Sequence, residues 1–399
     1  MKILACNVGS TSLKFKLYLM PELKILSEGR IERVGSANNA TYRYGNQGRQ
    51  INYKKEKQSI PDYTTGIRMF LDSLVSKEEG ALESISEIEA VCFKTVLSKG
   101  FYGVHLLTDE VMKGMQDYMG IAGSHNGPYI NAIRQFEKIL PQAKMVGVFE
   151  TSFHRTIPLE RTLYGIPYEW YEKYGIRKMG YHGASHGFMA ERIGKLYGSK
   201  HKLISCHLGG SSSICAILNG KSVNNSFGIS LQTGVMHATR TGDADPFLVP
   251  FLLSEGMAID EIKLGLTKKG GLLGISGVSE DLRDIEQAAD EGNQRAKLAI
   301  DVYCSHIIHY IGAFYADLGG LDFLTFTGGI GENSHVVRQK VCNALGHMGI
   351  TLDNEKNKIT GAERVISADG SAVKVCVIPT NEEQNITQQT YNYLTTGSV

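Results

Sequence analysis

Residues 2–19 read KILACNVGSTSLKFKLYL, and residues 203–218 read LISCHLGGSSSICAIL. Each is a short apolar run, a turn of glycine and hydroxyl residues, and a second run of alternating character. Strand-forming residues broken by Gly and Ser and then resumed predict a β-hairpin. The first hairpin has strands at 2–6 and 12–20 around the turn Asn7–Ser12, and the second ends in the turn Asn219-Gly220. Two copies of one device, each followed by further strands and helices, predict a duplicated α/β architecture. The length of 399 residues agrees, because it suggests about two domains.

Working outward, residues 41–54 predict another hairpin with Gly45–Gly48 in its turn. Short strands are expected at 88–93, 144–149, 323–326 and 374–378, and helices at 65–77, 293–318 and 383–394. No Pro-rich linker marks a boundary. The strand pattern restarts after residue 150, which gives a first domain over 1–150 and a second over 151–384.

The formal charge is +1, from 42 basic and 41 acidic residues. No global field favours nucleic acid or an anionic membrane, so any anion must be held by a local site. Seven cysteines, none in a CxxC pair, sit mostly in apolar runs and read as buried free thiols of a reducing, cytoplasmic compartment. The N-terminus lacks the pattern of a signal peptide, and no apolar run is long enough to span a membrane.

Several segments concentrate chemistry. NVGSTSLK (7–14) exposes backbone N–H groups and hydroxyls at one turn, with Lys14 just beyond, which suits a phosphate. HLGGSSS (207–213) repeats the device, and a nucleotide held between two domains needs a phosphate clamp from each. FTGGIGENS (326–334) follows an expected strand and precedes a helical stretch, so its glycines allow close backbone approach. It is neither GxGxxG nor a Walker A sequence. In GYHGASHG (180–187), two histidines four apart could ligate a metal on a helix, but Gly183 argues for a helix start. His182 then reads as a phosphate or carboxylate donor and His186 as structural. In ATRTGDADP (238–246), Arg240 on a tight loop suits a phosphoryl group in flight, or else a surface ion pair with Asp243 or Asp245.

NVGSTSLKFKL, VFETSFH, GYHGASHG, TRTGDADP, LTKKGGLLGISGVSEDLR, FTGGIGENS and VIPTNEE together resemble the acetate kinase (acetokinase) family, in order and spacing, from residue 2 to about 390. The resemblance implies duplicated ribonuclease-H-like domains of the acetate and sugar kinase, heat-shock chaperone and actin type. The C-terminal helix, about 385–399, joins the first domain, and the second domain binds nucleotide and dimerises. It implies a homodimer and the reaction ATP + acetate or another short carboxylate → ADP + acyl phosphate, with Mg2+ or Mn2+. Carried over position by position, Asn7 and Glu382 resemble the metal ligands. Ser10, Ser12 and Lys14 match the first phosphate contact. His207, Leu208, Gly209, Gly210 and Ser211, then Asp281, Leu282 and Arg283, then Gly329, Ile330, Gly331, Glu332 and Asn333 match nucleotide-binding segments. His182, Arg240, Glu150 and His125 match catalytic positions.

The same resemblance exposes departures where the acceptor is expected. Lys94 in FKTVLSKG stands at the family's arginine, and it keeps the charge without the bidentate fork. Glu150 stands at an aspartate, one methylene longer. The acceptor pocket becomes Val96, Ser124, Tyr181 and Leu231, two of them hydroxyl-bearing, and HLGNG becomes HLGGS. Three readings follow: a kinase for acetate or a short carboxylate, a kinase for a larger or hydroxylated carboxylate, and a nucleotide-binding paralogue without catalysis.

Overall fold

The computed structural model describes residues 1–9 and 11–397, with Ser124 described by its backbone alone. The chain divides into two compact units, Met1–Ser152 with Asn381–Val399, and Phe153–Thr380.

The first unit is built on eight strands: β1 (Lys2–Val8), β2 (Ser12–Leu19), β3 (Lys24–Glu32), β4 (Ser36–Asn46), β5 (Ile51–Ile60), β6 (Ala90–Thr95), β7 (Gly103–Leu106) and β8 (Lys144–Phe149). Their order is β5-β4-β3-β2-β1-β6-β8-β7. Strands β1 to β5 form an antiparallel meander, and β6 pairs parallel with both β1 and β8. β1 is apolar almost throughout because both its faces are covered, as expected for a strand beside parallel neighbours. Leu4, Cys6 and Val8 face a core with Phe15, Phe70 and Phe136. The Phe15 and Phe70 rings stack at 4.5 Å. Gly29 makes room for that stack, since a Cβ there would lie 2.4 Å from Phe70. The opposite face meets the helix Glu382–Thr396, where Cys92 Sγ lies 3.8 Å from Thr387 Oγ1.

The second unit carries six strands: β9 (Lys202–His207), β10 (Ser213–Leu218), β11 (Lys221–Asn225), β12 (Phe323–Thr327), β13 (Arg364–Val365) and β14 (Lys374–Val377). The order is β11-β10-β9-β12-β14-β13. Five of the six, β11-β10-β9-β12-β14, repeat the plan β3-β2-β1-β6-β8: a leading strand, antiparallel neighbours on one side and parallel ones on the other. The helix Gln294–Leu318 packs on β9 and β10. Asn293 caps its start by accepting from Arg295 and Ala296 N–H, and Gly319 ends it in the left-handed region at φ 63°. The other face carries Met189 and Ile193 of the helix Gly183–Tyr197.

Both hairpins form as expected. The helix expected at 65–77 covers Tyr63–Leu74. β3, β7 and the helix Met119–Ile139 go beyond the sequence reading. That helix contains Gly120, Gly123, Gly127 and Pro128, which mask its periodicity, and its backbone departs from helical geometry at Ala122. All seven cysteines are free and buried. No helix among the described residues is long and apolar enough to cross a membrane.

Candidate active site

In the second unit the β9–β10 turn and the loop after β12 meet at Leu208. Its N–H donates to Thr327 O at 2.8 Å, and its carbonyl accepts from Ile330 and Gly331 N–H at 2.9 and 3.1 Å. Gly328 permits this approach: its φ is +78°, and a Cβ would lie 2.6 Å from Leu208 O. Gly209, Gly210, Gly329, Ile330 and Asn333 then line one cavity of about 830 Å3 together with Asp281, Leu282, Arg283 and Arg240. That size falls within the usual range for small-molecule sites. Three sequence segments and the arginine therefore converge. His207, Leu208, Ser211, Gly331 and Glu332 support this wall without lining it. The Glu332 carboxylate accepts from Gly328 N–H at 3.0 Å and Thr380 N–H at 3.3 Å. Asp281 caps the helix Leu282–Asp290, accepting from Arg283 N–H at 3.0 Å. Hydrogen bonding from Arg283 holds its carboxyl below the usual range.

Arg240 is held by backbone rather than by acid. Its guanidinium donates to Leu231 O, and among the described residues neither Asp243 nor Asp245 pairs with it. Its loop is pinned by Ala238 N–H to Gly210 O at 3.1 Å and by Leu272 N–H to His237 O at 2.9 Å. Gly271, at φ +63°, admits that crossing, since a Cβ would lie 2.2 Å from His237 O. Burial pulls the Arg240 pKa down to about 10, so it stays charged at neutral pH with no carboxylate to offset it. A guanidinium in that state favours an anionic ligand.

The second unit also holds a cluster of histidines. His182 precedes the helix Gly183–Tyr197 at φ 57°, ψ 29°, with its ring 4.2 Å from that of His207. His182 Nδ1 lies 2.8 Å from Ser213 Oγ. His186 is buried, 2.9 Å from Ser205 Oγ through Nδ1 and 2.8 Å from Ser213 Oγ through Nε2. Burial holds His186 and His237 well below the ordinary range and His154 at about 4. These three are neutral imidazoles. Tyr181 is fully buried, and its hydroxyl donates to Ile229 O, so the protein itself satisfies it. That removes one of the two hydroxyls on which a hydroxylated acceptor rested. The Leu231 side chain is also buried.

In the first unit, Asn7 of β1 lies opposite Lys14 of β2. Asn7 Oδ1 accepts from Tyr129 Oη at 3.2 Å, and its Nδ2 donates to Glu383 Oε1 at 3.5 Å. Lys94 of β6 donates to Glu382 Oε2 at 2.9 Å. Burial opposes the Lys94 ammonium, but the Glu382 and Glu150 carboxylates outweigh it and hold the pKa above the ordinary lysine range. Glu150 is buried just after β8, and Val96 is buried just after β6. His125 sits half-buried on the helix Met119–Ile139, next to Asn126, whose amide donates to Leu97 O and Met115 O at 2.9 Å each. Lys14 is exposed. Ser12 closes the hairpin turn, its carbonyl accepting from Gly9 N–H at 2.9 Å. Ser10 and the Ser124 side chain lie outside the described residues.

The sequence reading did not assign Tyr129 or Glu383, nor Thr239 and Glu286, which also line the cavity. Tyr129 joins Asn7 from a distant segment and gave no local signal. Glu383 was visible in VIPTNEE, where the resemblance singled out its neighbour. The donor chemistry fits Mg2+: the Glu382 carboxylate and the Asn7 amide oxygen are hard oxygen donors, and Mg2+ takes few protein oxygens while keeping water and phosphate oxygens. Among the described residues no cluster of three or more His, Cys, Asp or Glu could cage an ion without such help.

The comparisons with known proteins agree along the chain. The profile of the Acetokinase family matches residues 2–388. An acetate kinase of Geobacillus sp. is 44% identical over 387 residues, covering 96% of each chain. The crystal structure of Porphyromonas gingivalis acetate kinase superposes with a TM-score of 0.88 at 37% identity, covering 98% of this chain and 99% of that one. A propionate kinase from Francisella tularensis gives 0.89 at 31% identity, covering 97% and 98%. These likenesses confirm duplicated α/β domains of the acetate kinase type, and the chain belongs to the acetokinase family.

Proposed function

We propose that this chain transfers the γ-phosphoryl group of ATP to acetate or another short carboxylate, giving ADP and an acyl phosphate. The observation that carries this is the cavity of the second unit, where two glycine turns, Asp281–Arg283 and a carboxylate-free Arg240 line one space. The family and its relatives' names supply the reaction class.

In this reading the second unit binds nucleotide. Arg240 and His182 stabilise the phosphoryl oxygens as charge redistributes in an in-line transfer. The first unit supplies the acceptor groups. A carboxylate is already nucleophilic, so no strong base is needed, and Lys94 offers its charge to the acceptor. Glu382 and Glu150 keep Lys94 protonated, and Val96 gives apolar contact to a short alkyl group. Asn7 and Glu382 hold Mg2+, or Mn2+ in its place, which supplies charge neutralisation for the phosphates. Rate then comes from alignment and from neutralising the transferred group.

Two coarser features extend the proposal. Phe247, Phe251 and Leu253 expose apolar surface on and beside the helix Leu248–Ser254, which supports self-association as a homodimer through the second unit. Seven free buried thiols fit a reducing cytoplasm. The test is hydroxamate trapping with MgATP and a panel of acetate, propionate and their hydroxy acids. Acetate or propionate should turn over best. Tight ATP binding without turnover of any carboxylate would instead establish a non-catalytic paralogue.

A further inference from the structure

His182, Ser213, His186 and Ser205 form one chain of hydrogen bonds, with successive separations of 2.8, 2.8 and 2.9 Å. All four lie in the second unit. Ser205 and Ser213 sit on neighbouring strands β9 and β10, while His186 follows His182 by one helical turn. We infer that this chain has one direction, running from Ser205 to His182, and fixes His182 as the neutral tautomer with its proton on Nε2.

The direction follows from counting protons. Ser205 is fully buried, and among the described residues its hydroxyl has one hydrogen-bond partner, His186 Nδ1. A buried O–H left without an acceptor is destabilising, so Ser205 donates and Nδ1 accepts. His186 is kept neutral by burial, hence its single proton lies on Nε2. That N–H donates to Ser213 Oγ. The Ser213 hydroxyl, its oxygen already accepting, donates onward to His182 Nδ1. With Nδ1 accepting, the His182 proton resides on Nε2. The reverse direction would leave the Ser205 hydrogen with no acceptor.

The consequence deepens the proposed function and rests on it. His182 acts on the phosphoryl group as an oriented N–H donor and not as a cation. Protonating Nδ1 would require Ser213 to turn and the whole chain to reverse. Among the second unit's groups in this reading, the net positive charge at the transferred group then comes from Arg240 and not from His182. Ser213, His186 and Ser205 are positioning residues, and they make His186 more than a buried filler.

The experiment is long-range proton–nitrogen correlation NMR on the full chain labelled with 15N-histidine, at neutral pH. Protonated Nε2 and unprotonated Nδ1 on both His182 and His186 support the inference. A proton on His182 Nδ1, or an imidazolium at neutral pH, overturns it. Kinetically, Ser213→Ala should lower kcat on the order of 10- to 100-fold, as for partners that orient a reacting group, with KM for ATP nearly unchanged. Ser213→Thr keeps the hydroxyl and should restore most of kcat. An unchanged kcat in Ser213→Ala also overturns it. If that variant does not fold, Ser205→Ala and the wild-type spectrum still decide, since Ser205→Ala should mix the His186 tautomers. The spectrum is independent of turnover. A chain with the Nε2 tautomer but no carboxylate kinase activity would sink the proposed function and leave the hydrogen-bond direction standing.

Discussion

The two units share a strand plan but use its leading hairpin differently. In the first unit, β1 and β2 present polar side chains: Asn7 and Lys14 lie opposite one another, and Asn7 bonds Glu383. In the second, the turn between β9 and β10 offers glycine backbone, and the strands carry Ser205, His207 and Ser213. The first cluster is ionic, with Lys94 on Glu382. The second is mostly neutral, with depressed histidines, Arg283 paired with Asp281, and Arg240 bonded to a backbone carbonyl. One topology thus supports two kinds of site. Backbone and neutral imidazole are committed in advance, while charged side chains can exchange partners when ligands arrive.

The sharpest way to break that contrast is at Arg240, the cavity's arginine that is held by backbone and not by a carboxylate. Arg240→Ala should lower kcat by on the order of 10³-fold, with a smaller change in KM for ATP, measured by hydroxamate formation. An effect confined to KM would make Arg240 a binding residue and erase the distinction. Next is the backbone wall. Gly328→Ala places a Cβ 2.6 Å from Leu208 O at positive φ, so ATP affinity should fall about tenfold or more by calorimetry, with acceptor binding unaffected.

The ionic side predicts exchange. Lys94→Ala leaves the Glu382 carboxylate without its cation, and KM for acetate should rise about tenfold. The pair is 12–15% exposed, so allowing for solvent screening the stability loss in urea should be about 1–3 kcal/mol. Lys94→Arg should lower KM for acetate through its two-pronged geometry. If Lys94→Ala left KM unchanged, the acceptor would bind elsewhere.

The neutral side predicts acid sensitivity of stability. The His154 pKa is depressed to about 4 from an ordinary value near 6.5. Below pH 6.5 the unfolded chain takes up the proton first, so stability present above that pH is lost as pH falls toward 4. The loss reaches about 3 kcal/mol for this one residue. Urea midpoints of the second unit should fall across that window, and His154→Asn should flatten the slope.

The hairpins were legible because Gly and Ser punctuate apolar runs, and the core strands because they are uninterrupted. The helix Met119–Ile139 was not, since three glycines and Pro128 weaken its propensity and packing alone sustains it. At the site, residue types at turns were readable: Arg240, the Gly209–Gly210 turn and the Gly329 segment meet as a cavity. What no local pattern carried was side-chain pairing across the fold. Lys94 finds Glu382 almost three hundred residues away, and Tyr129 finds Asn7. The sequence left open what the Tyr181 hydroxyl bonds, and in the fold it donates to Ile229 O.

The cysteines have a practical consequence. All seven are buried, and burial pushes the thiols of Cys6, Cys92, Cys206, Cys215, Cys304, Cys342 and Cys376 above the ordinary range, so the folded chain holds almost no reactive thiolate. Two belong to the first unit and five to the second. Alkylation becomes a clock for opening: mass added to peptides around Cys6 and Cys92 records the first unit's unfolding, and mass added at the other five records the second's, in the same tube.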